Sequence, residues 1–177
     1  MPKIMNLIEL QQVSKGFSEG LFNKRTVLDG VDLTVLQGDF VVLRGVNGSG
    51  KSTMIKIILG LQKPDSGNVR LFGQSPTTPE AKLSVGTIFQ EVTPPNSLKV
   101  KELINLVRSY YPDSKSVQEV LEIVGLKDKQ NVFPTDLSGG QKQRLYFAIS
   151  LVGNPQLLIL DGKPSGVHEE LRVPGSR

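Results

Sequence analysis

Apolar positions recur with two different periods along the 177 residues. Leu7 to Val13 alternates apolar with polar, the spacing of a half-buried strand. Val27 to Val35 alternates again, Val31, Leu33 and Val35 against Asp32 and Thr34, with Asp29-Gly30 as a turn or bulge. Gln37-Gly38-Asp39 is a turn signal, and Phe40 to Leu43 then reads as a buried strand running into a glycine-rich loop. A helix is predicted from Lys51 to a C-cap near Gly60. Pro64 to Gly67 is a tight turn, Val69 to Phe72 a short strand, Pro76 to Pro79 a loop, and Val85 to Phe89 a strand ending at Gln90. The period then changes to helical. Val100, Leu103, Ile104 and Val107 share one face. Ser116 to Glu119 forms a capping box ahead of Val117, Val120, Leu121 and Val124, and Gly125 ends that helix. Leu145, Ala148, Ile149 and Val152 make a third stripe, closed by Asn154-Pro155. Leu157 to Leu160 follows as a fully buried strand. These stripes are core positions and are given no chemical role.

The order strand, glycine loop, helix, strands, helices, strand predicts an α/β domain with a mostly parallel sheet. Residues 1–177 read as a single domain: a core of about 1–90 and 139–166, a helical insertion of about 91–138, and an atypical tail of 167–177. Apolar content of 38% and charged content of 21% are globular values. No apolar run approaches the ~20 residues of a membrane span. The N-terminus has no long apolar stretch of a signal peptide, and the lack of Cys excludes disulfides and zinc–thiolate sites, which suits the cytosol. The net charge of +4 is spread without a run of like charge, so a mixed surface is expected and nucleic acid is not an expected partner.

Gly45-Val46-Asn47-Gly48-Ser49-Gly50-Lys51-Ser52-Thr53 fits the phosphate-loop pattern G-x-x-x-x-G-K-[ST]. Polyphosphate is a dense anion and needs donors that approach without side chains in the way. Gly45, Gly48 and Gly50 let backbone N–H groups wrap it, and the helix after Gly50 adds its positive end. Lys51 is expected on the β- and γ-phosphates and the Ser52 hydroxyl on Mg²⁺; Asn47, Ser49 and Thr53 complete the nucleotide-binding stretch. Asp161 closes Leu157 to Leu160, and an acid at the carboxyl end of a parallel strand sits where such sheets bind ligands. It is expected to hold Mg²⁺ through water. Ser138-Gly139-Gly140-Gln141 has the form S-x-x-Q, a helix cap, and two glycines beside a helix start also suit phosphate.

With Leu137 ahead of it, Ser138 to Gln141 resembles the signature of ABC-type ATPases. Together with the upstream loop it makes the chain similar to the nucleotide-binding subunit of an ABC transporter over residues about 6–161. The resemblance implies a RecA-like P-loop core, antiparallel strands at the N-terminus and an inserted helical subdomain. It implies ATP and Mg²⁺ as ligands, and a head-to-tail pair of cassettes in which Ser138, Gly139, Gly140 and Gln141 face the γ-phosphate held by the other. Gln90 matches the family's Q-loop glutamine, which contacts Mg²⁺, and Phe17 the aromatic that stacks on adenine. Lys51, Gln90 and Asp161 are then the catalytic candidates, with Ser52, Gln90 and Asp161 at the metal. The implied partners are transmembrane permease subunits and a second cassette, identical or related, on the inner face of a membrane. Residues 91–111 resemble exporters of the ABC-2 type or a haem-export-like group.

The match weakens after Asp161. Where the family continues Glu-Pro-Thr-x-Gly-Leu-Asp, this chain reads Gly162-Lys163-Pro164-Ser165-Gly166-Val167-His168. Gly162 stands at the general-base glutamate and His168 at the D-loop aspartate. His168 lies too early to be the family's switch histidine, and Glu169 and Glu170 read as solvated charges. The last core strand or strands and the switch histidine are expected to be missing, which would leave a sheet edge uncovered. Residues 171–177 read as foreign to the fold, whether introduced, frameshifted or left by a premature stop. Losing a positioned base costs typically ~10²–10⁴ in rate, so impaired hydrolysis is expected. Two other readings stay open: a non-catalytic or fragmentary nucleotide-binding module, and a soluble ABC ATPase acting on nucleic acid or the ribosome. A small P-loop kinase is disfavoured because the signature has no role there.

Overall fold

The computed structural model describes residues 5–19, 23–89, 95 and 97–161. The chain divides into two compact units, 1–82 and 83–177. In the first, β1 (Asn6–Glu19) and β2 (Asn23–Leu36) form a long antiparallel ribbon, and β3 (Ser66–Leu71) pairs antiparallel on the other side of β1. β1 is therefore the central strand of the order β2-β1-β3. Leu10 lies between Leu33 and Val69, and Leu10, Val13 and Leu71 are buried.

The expected bulge is present. The β1–β2 register shifts between Val13 and Lys15, and Gly30 takes φ 57, a left-handed conformation that suits glycine. α1 (Lys51–Ile58) packs Ile55, Ile57 and Ile58 inward. It ends in a Schellman turn: Gly60 N–H donates to the Ile57 carbonyl at 3.0 Å and Leu61 N–H to the Lys56 carbonyl at 2.8 Å, with Gly60 at φ 66. A short helix that periodicity did not predict, α2 (Pro79–Leu83), begins on a proline, which is preorganised for a first turn.

In the second unit β4 (Val85–Ile88) and β5 (Leu157–Leu160) are parallel, Val85 opposite Leu157 through Ile88 opposite Leu160. α3 (Val100–Arg108), α4 (Val117–Ile123) and α5 (Gly139–Leu151) share one apolar core, with Ile104, Val120, Leu126, Leu145 and Val152 almost fully enclosed. Arg144 of α5 ties this core at its edge, donating to the Val124 and Gly125 carbonyls at 3.3 and 3.1 Å where α4 ends. The three helical stripes read from the sequence are these core faces.

Two strand expectations are corrected. Phe40 to Leu43 forms neither helix nor strand, and Phe40 is 81% exposed. An apolar run becomes a strand only when neighbouring backbone closes its ladder, and among the described residues none pairs with it. β5 forms where expected but is not fully buried. Leu158 and Leu160 are 39% and 49% exposed, because among the described residues β5 pairs with β4 alone and alternate side chains face away from the covered side. The third strand also starts three residues early, at Ser66, inside the stretch read as a turn.

Candidate functional site

The loop 45–53 lies in the first unit. Its backbone is set by two left-handed glycines, Gly48 at φ 80 and Gly50 at φ 92. Gly50 is also pressed against β2: a Cβ there would stand 2.8 Å from the Val27 carbonyl oxygen and 2.9 Å from the Leu28 side chain. Gly45 folds just as closely over Ser49, whose Oγ would lie 2.5 Å from an added Cβ. Only glycine satisfies both demands at Gly50, so residue type and backbone fold agree here.

The Lys51 ammonium is turned into the loop. Its Nζ donates to the Gly45 and Val46 carbonyls at 2.8 Å each and reaches Ser49 Oγ at 3.4 Å. Gly50 is the N-cap of α1 and brings no capping side chain, and α1 has no acidic residue in its first turn. The amides of that turn and the lysine together make a cationic, donor-rich concavity, the chemistry an anion takes. Ser52 is the second residue of α1, and Ser52 and Thr53 follow the lysine along its first turn. Beside the loop an open groove of about 420 Å³ runs between Leu28, Val42, Gly50 and Met54. Arg44, Ser49 and Lys51 also line it, so the groove carries both apolar and cationic walls.

Phe17 belongs to the same unit. It lies on β1 directly opposite Arg25 of β2, and 41% of it is exposed. Lys15 Nζ is 5.9 Å from the ring centroid and is held by Asp65 at 2.7 Å. Arg25 was not anticipated from the sequence. Its Nη2 lies 3.5 Å from the point where a Cβ would stand on Gly48, so it connects the end of the ribbon to the loop. The available signal is the β1–β2 register, which sets position 25 opposite position 17.

The remaining candidates lie in the second unit. Ser138 caps α5 with a reciprocal box: Gln141 N–H donates to Ser138 Oγ at 3.3 Å and Ser138 N–H to Gln141 Oε1 at 2.9 Å. Gly139 and Gly140 form the first turn of that helix, and added Cβ atoms would meet nothing within 4 Å. Further along α5, burial pushes the Tyr146 hydroxyl's pKa up. Asp161 follows β5, its N–H donating to the Ile88 carbonyl at 2.8 Å. Gln90, Gly162, His168, Glu169 and Glu170 lie outside the described residues. The structure thus groups Phe17, Arg25 and the 45–53 loop in one unit, and Ser138–Gln141 and Asp161 in the other.

Among the described residues no group of three or more His, Cys, Asp or Glu is placed to hold a metal. The donors on hand are a hydroxyl at Ser52 and a carboxylate at Asp161. Each is, in its own unit, an oxygen donor of the kind Mg²⁺ accepts; Mg²⁺ binds through one or two protein oxygens and takes its other ligands from phosphate and water. No helix among the described residues is long and apolar enough to cross a membrane.

Comparison with known proteins agrees with this geometry. The profile of the ABC transporter family matches residues 28–163. The chain is 37% identical over 179 residues to the methionine import ATP-binding protein MetN of Corynebacterium glutamicum, covering 92% of this chain and 48% of that one. It is 36% identical over 173 residues to the spermidine/putrescine import ATP-binding protein PotA of Pseudomonas aeruginosa, covering 94% of this chain and 46% of that one. The chain thus spans about half the length of these relatives. Among solved structures, an ATP-binding cassette captured as a dimer in a post-hydrolysis state with ADP and Pi superposes with a TM-score of 0.74 at 30% identity, over 86% of this chain and 72% of that one. The chain belongs to the ABC transporter family, among its ATP-binding proteins.

Proposed function

We propose that this chain binds Mg·ATP and serves a membrane transporter as its nucleotide-binding subunit, with hydrolysis impaired by Gly162. The observation that carries the reading is the Lys51 ammonium folded among the Gly45, Val46 and Ser49 oxygens, over a helix start with no cap of its own. In this reading Phe17 stacks on adenine. The amides of Gly45, Asn47, Gly48, Ser49, Gly50 and Thr53 surround the phosphates, and Lys51 neutralises their terminal charge. Ser52, Asp161 and Gln90 are the residues that would hold Mg²⁺, which would supply neutralisation of phosphate charge. Residues 91–138 act as the helical subdomain of a core made by 1–90 and 139–166.

Ser138, Gly139, Gly140 and Gln141 face the γ-phosphate held by a second cassette, identical or related, and a transmembrane permease receives the resulting motion at the inner face of the membrane. The relatives' names support the permease partnership, and the dimeric cassette supports the pairing. Those names are of importers, whereas residues 91–111 resemble exporters, so neither a cargo nor a direction is part of the proposal. Gly162 has no group to take a proton from the attacking water, and the loss of a positioned base lowers rate ~10²–10⁴-fold. Titration of the full chain with Mg·ATP, paired with a steady-state phosphate-release assay, tests both halves. Saturable binding with turnover at least ~100-fold below that of cassettes carrying the general-base glutamate is expected. No binding would overturn the proposal, and ordinary turnover would overturn the impairment.

A further inference from the structure

We infer that Arg25 is a further nucleotide-binding residue, its guanidinium meeting the α-phosphate of a nucleoside di- or triphosphate whose terminal phosphates lie in the 45–53 loop. The inference deepens the proposed function and rests on it. Phe17 and Arg25 are directly opposed in the β1–β2 ladder, and opposed residues present their side chains on the same face of a sheet. From that face Arg25 Nη2 reaches to 3.5 Å of where a Cβ would stand on Gly48. The loop therefore has a cation at each of two places. Lys51 Nζ is inside it, at Gly45, Val46 and Ser49; Arg25 is outside it, at Gly48, on the side of the ring.

A nucleotide with its base on Phe17 and its last phosphates at Lys51 has its first phosphate between ring and loop, where Arg25 lies. A guanidinium is well matched to a phosphate there, since it is always charged and its planar fork of donors fits two phosphate oxygens. Because ATP and ADP share the α-phosphate, the residue acts equally on both.

The test is the Kd of Mg·ATP and Mg·ADP for the full chain, measured calorimetrically at two ionic strengths. Arg25→Gln keeps the stem and removes the charge; it is expected to weaken ATP and ADP by the same factor, on the order of ten-fold, and to flatten the salt dependence. Arg25→Lys should recover part of the loss. Arg70→Gln, at an exposed position of β3 away from the loop, controls for net charge and should change neither Kd. Wild-type affinities in Arg25→Gln, with binding lost in Lys51→Ala, would overturn the role of Arg25 and leave the nucleotide reading standing. A loss for ATP alone would place the guanidinium at the γ-phosphate and overturn the assignment. Failure of the unaltered chain to bind, or unchanged binding in Lys51→Ala, would bring down the nucleotide reading itself.

Discussion

α1 and α5 both start beside glycines, and their starts are built in opposite ways. α5 closes its own end: Ser138 and Gln141 exchange hydrogen bonds, and Gly139 and Gly140 lie in unstrained helical turn with open space around them. α1 has no such closure. Gly50 stands at its N-cap in a left-handed conformation with no side chain to offer, and the lysine ammonium bends back over the loop. A helix end that satisfies itself is stable without a ligand, whereas one left with amide donors and a cation gains most when an anion arrives. The glycines accordingly differ in role. Those at α1 are demanded by the fold of this chain. Those at α5 are not: open space surrounds both.

The largest expected effect separates these starts directly. Lys51→Ala should weaken Mg·ATP binding on the order of 100-fold, since it removes the cation and its charge-assisted hydrogen bonds to phosphate. Circular dichroism should be unchanged, because the lysine's partners are exposed loop carbonyls and the Ser49 hydroxyl. A fold lost along with binding would show that the ammonium is structural and would break the contrast.

The next effect concerns the glycines. Gly50→Ala puts a Cβ 2.8 Å from the Val27 carbonyl oxygen at φ 92, and should cost about 1–3 kcal/mol, visible as a lowered Tm. Gly139→Ala and Gly140→Ala each fill open space in helical backbone and should raise stability by up to ~1 kcal/mol. Equal destabilisation at all three positions would sink the claim that the two starts differ.

Much of this was legible in the sequence because it is local. The two capping boxes, the Gly60 stop, the bulge at Gly30 and the three helical stripes each depend on residues a few positions apart. Three failures, at Phe40 to Leu43, β5 and Arg25, are long-range. Phe40 to Leu43 has the composition of a strand, but a strand also needs a backbone neighbour, and the run itself says nothing about one. Leu157-Leu158-Ile159-Leu160 has no polar residue and predicts a fully buried β5, yet burial depends on what covers each face. Arg25 was missed because its importance comes from the ladder that sets it opposite Phe17 and from the folding of Gly48 toward it, neither of which a motif encodes.

The smallest effect uses a third helix start as a refinement. α4 carries the same reciprocal box as α5, with a carboxylate in place of the amide: Glu119 N–H donates to Ser116 Oγ at 3.1 Å, and Ser116 N–H to Glu119 Oε2 at 2.7 Å. The bonds to Ser116, with smaller help from Lys115 and Arg108, hold the Glu119 pKa below the ordinary glutamate value. A folded-state pKa that is lowered contributes stability above the unfolded value of about 4.3, and that contribution fades as pH falls through the folded value. The Gln141 box carries no charge and has no such dependence. Glu119→Gln should therefore leave the Tm near pH 7 almost unchanged, because the amide oxygen still accepts from Ser116, while reducing the drop in Tm between about pH 5 and pH 3. Gln141→Glu should do the reverse and add acid sensitivity at α5. Thermal melts of the two variants across that range decide the matter: parallel curves would mean that the box works through its geometry alone, and that charge at a capped helix start adds nothing a ligand could later exploit.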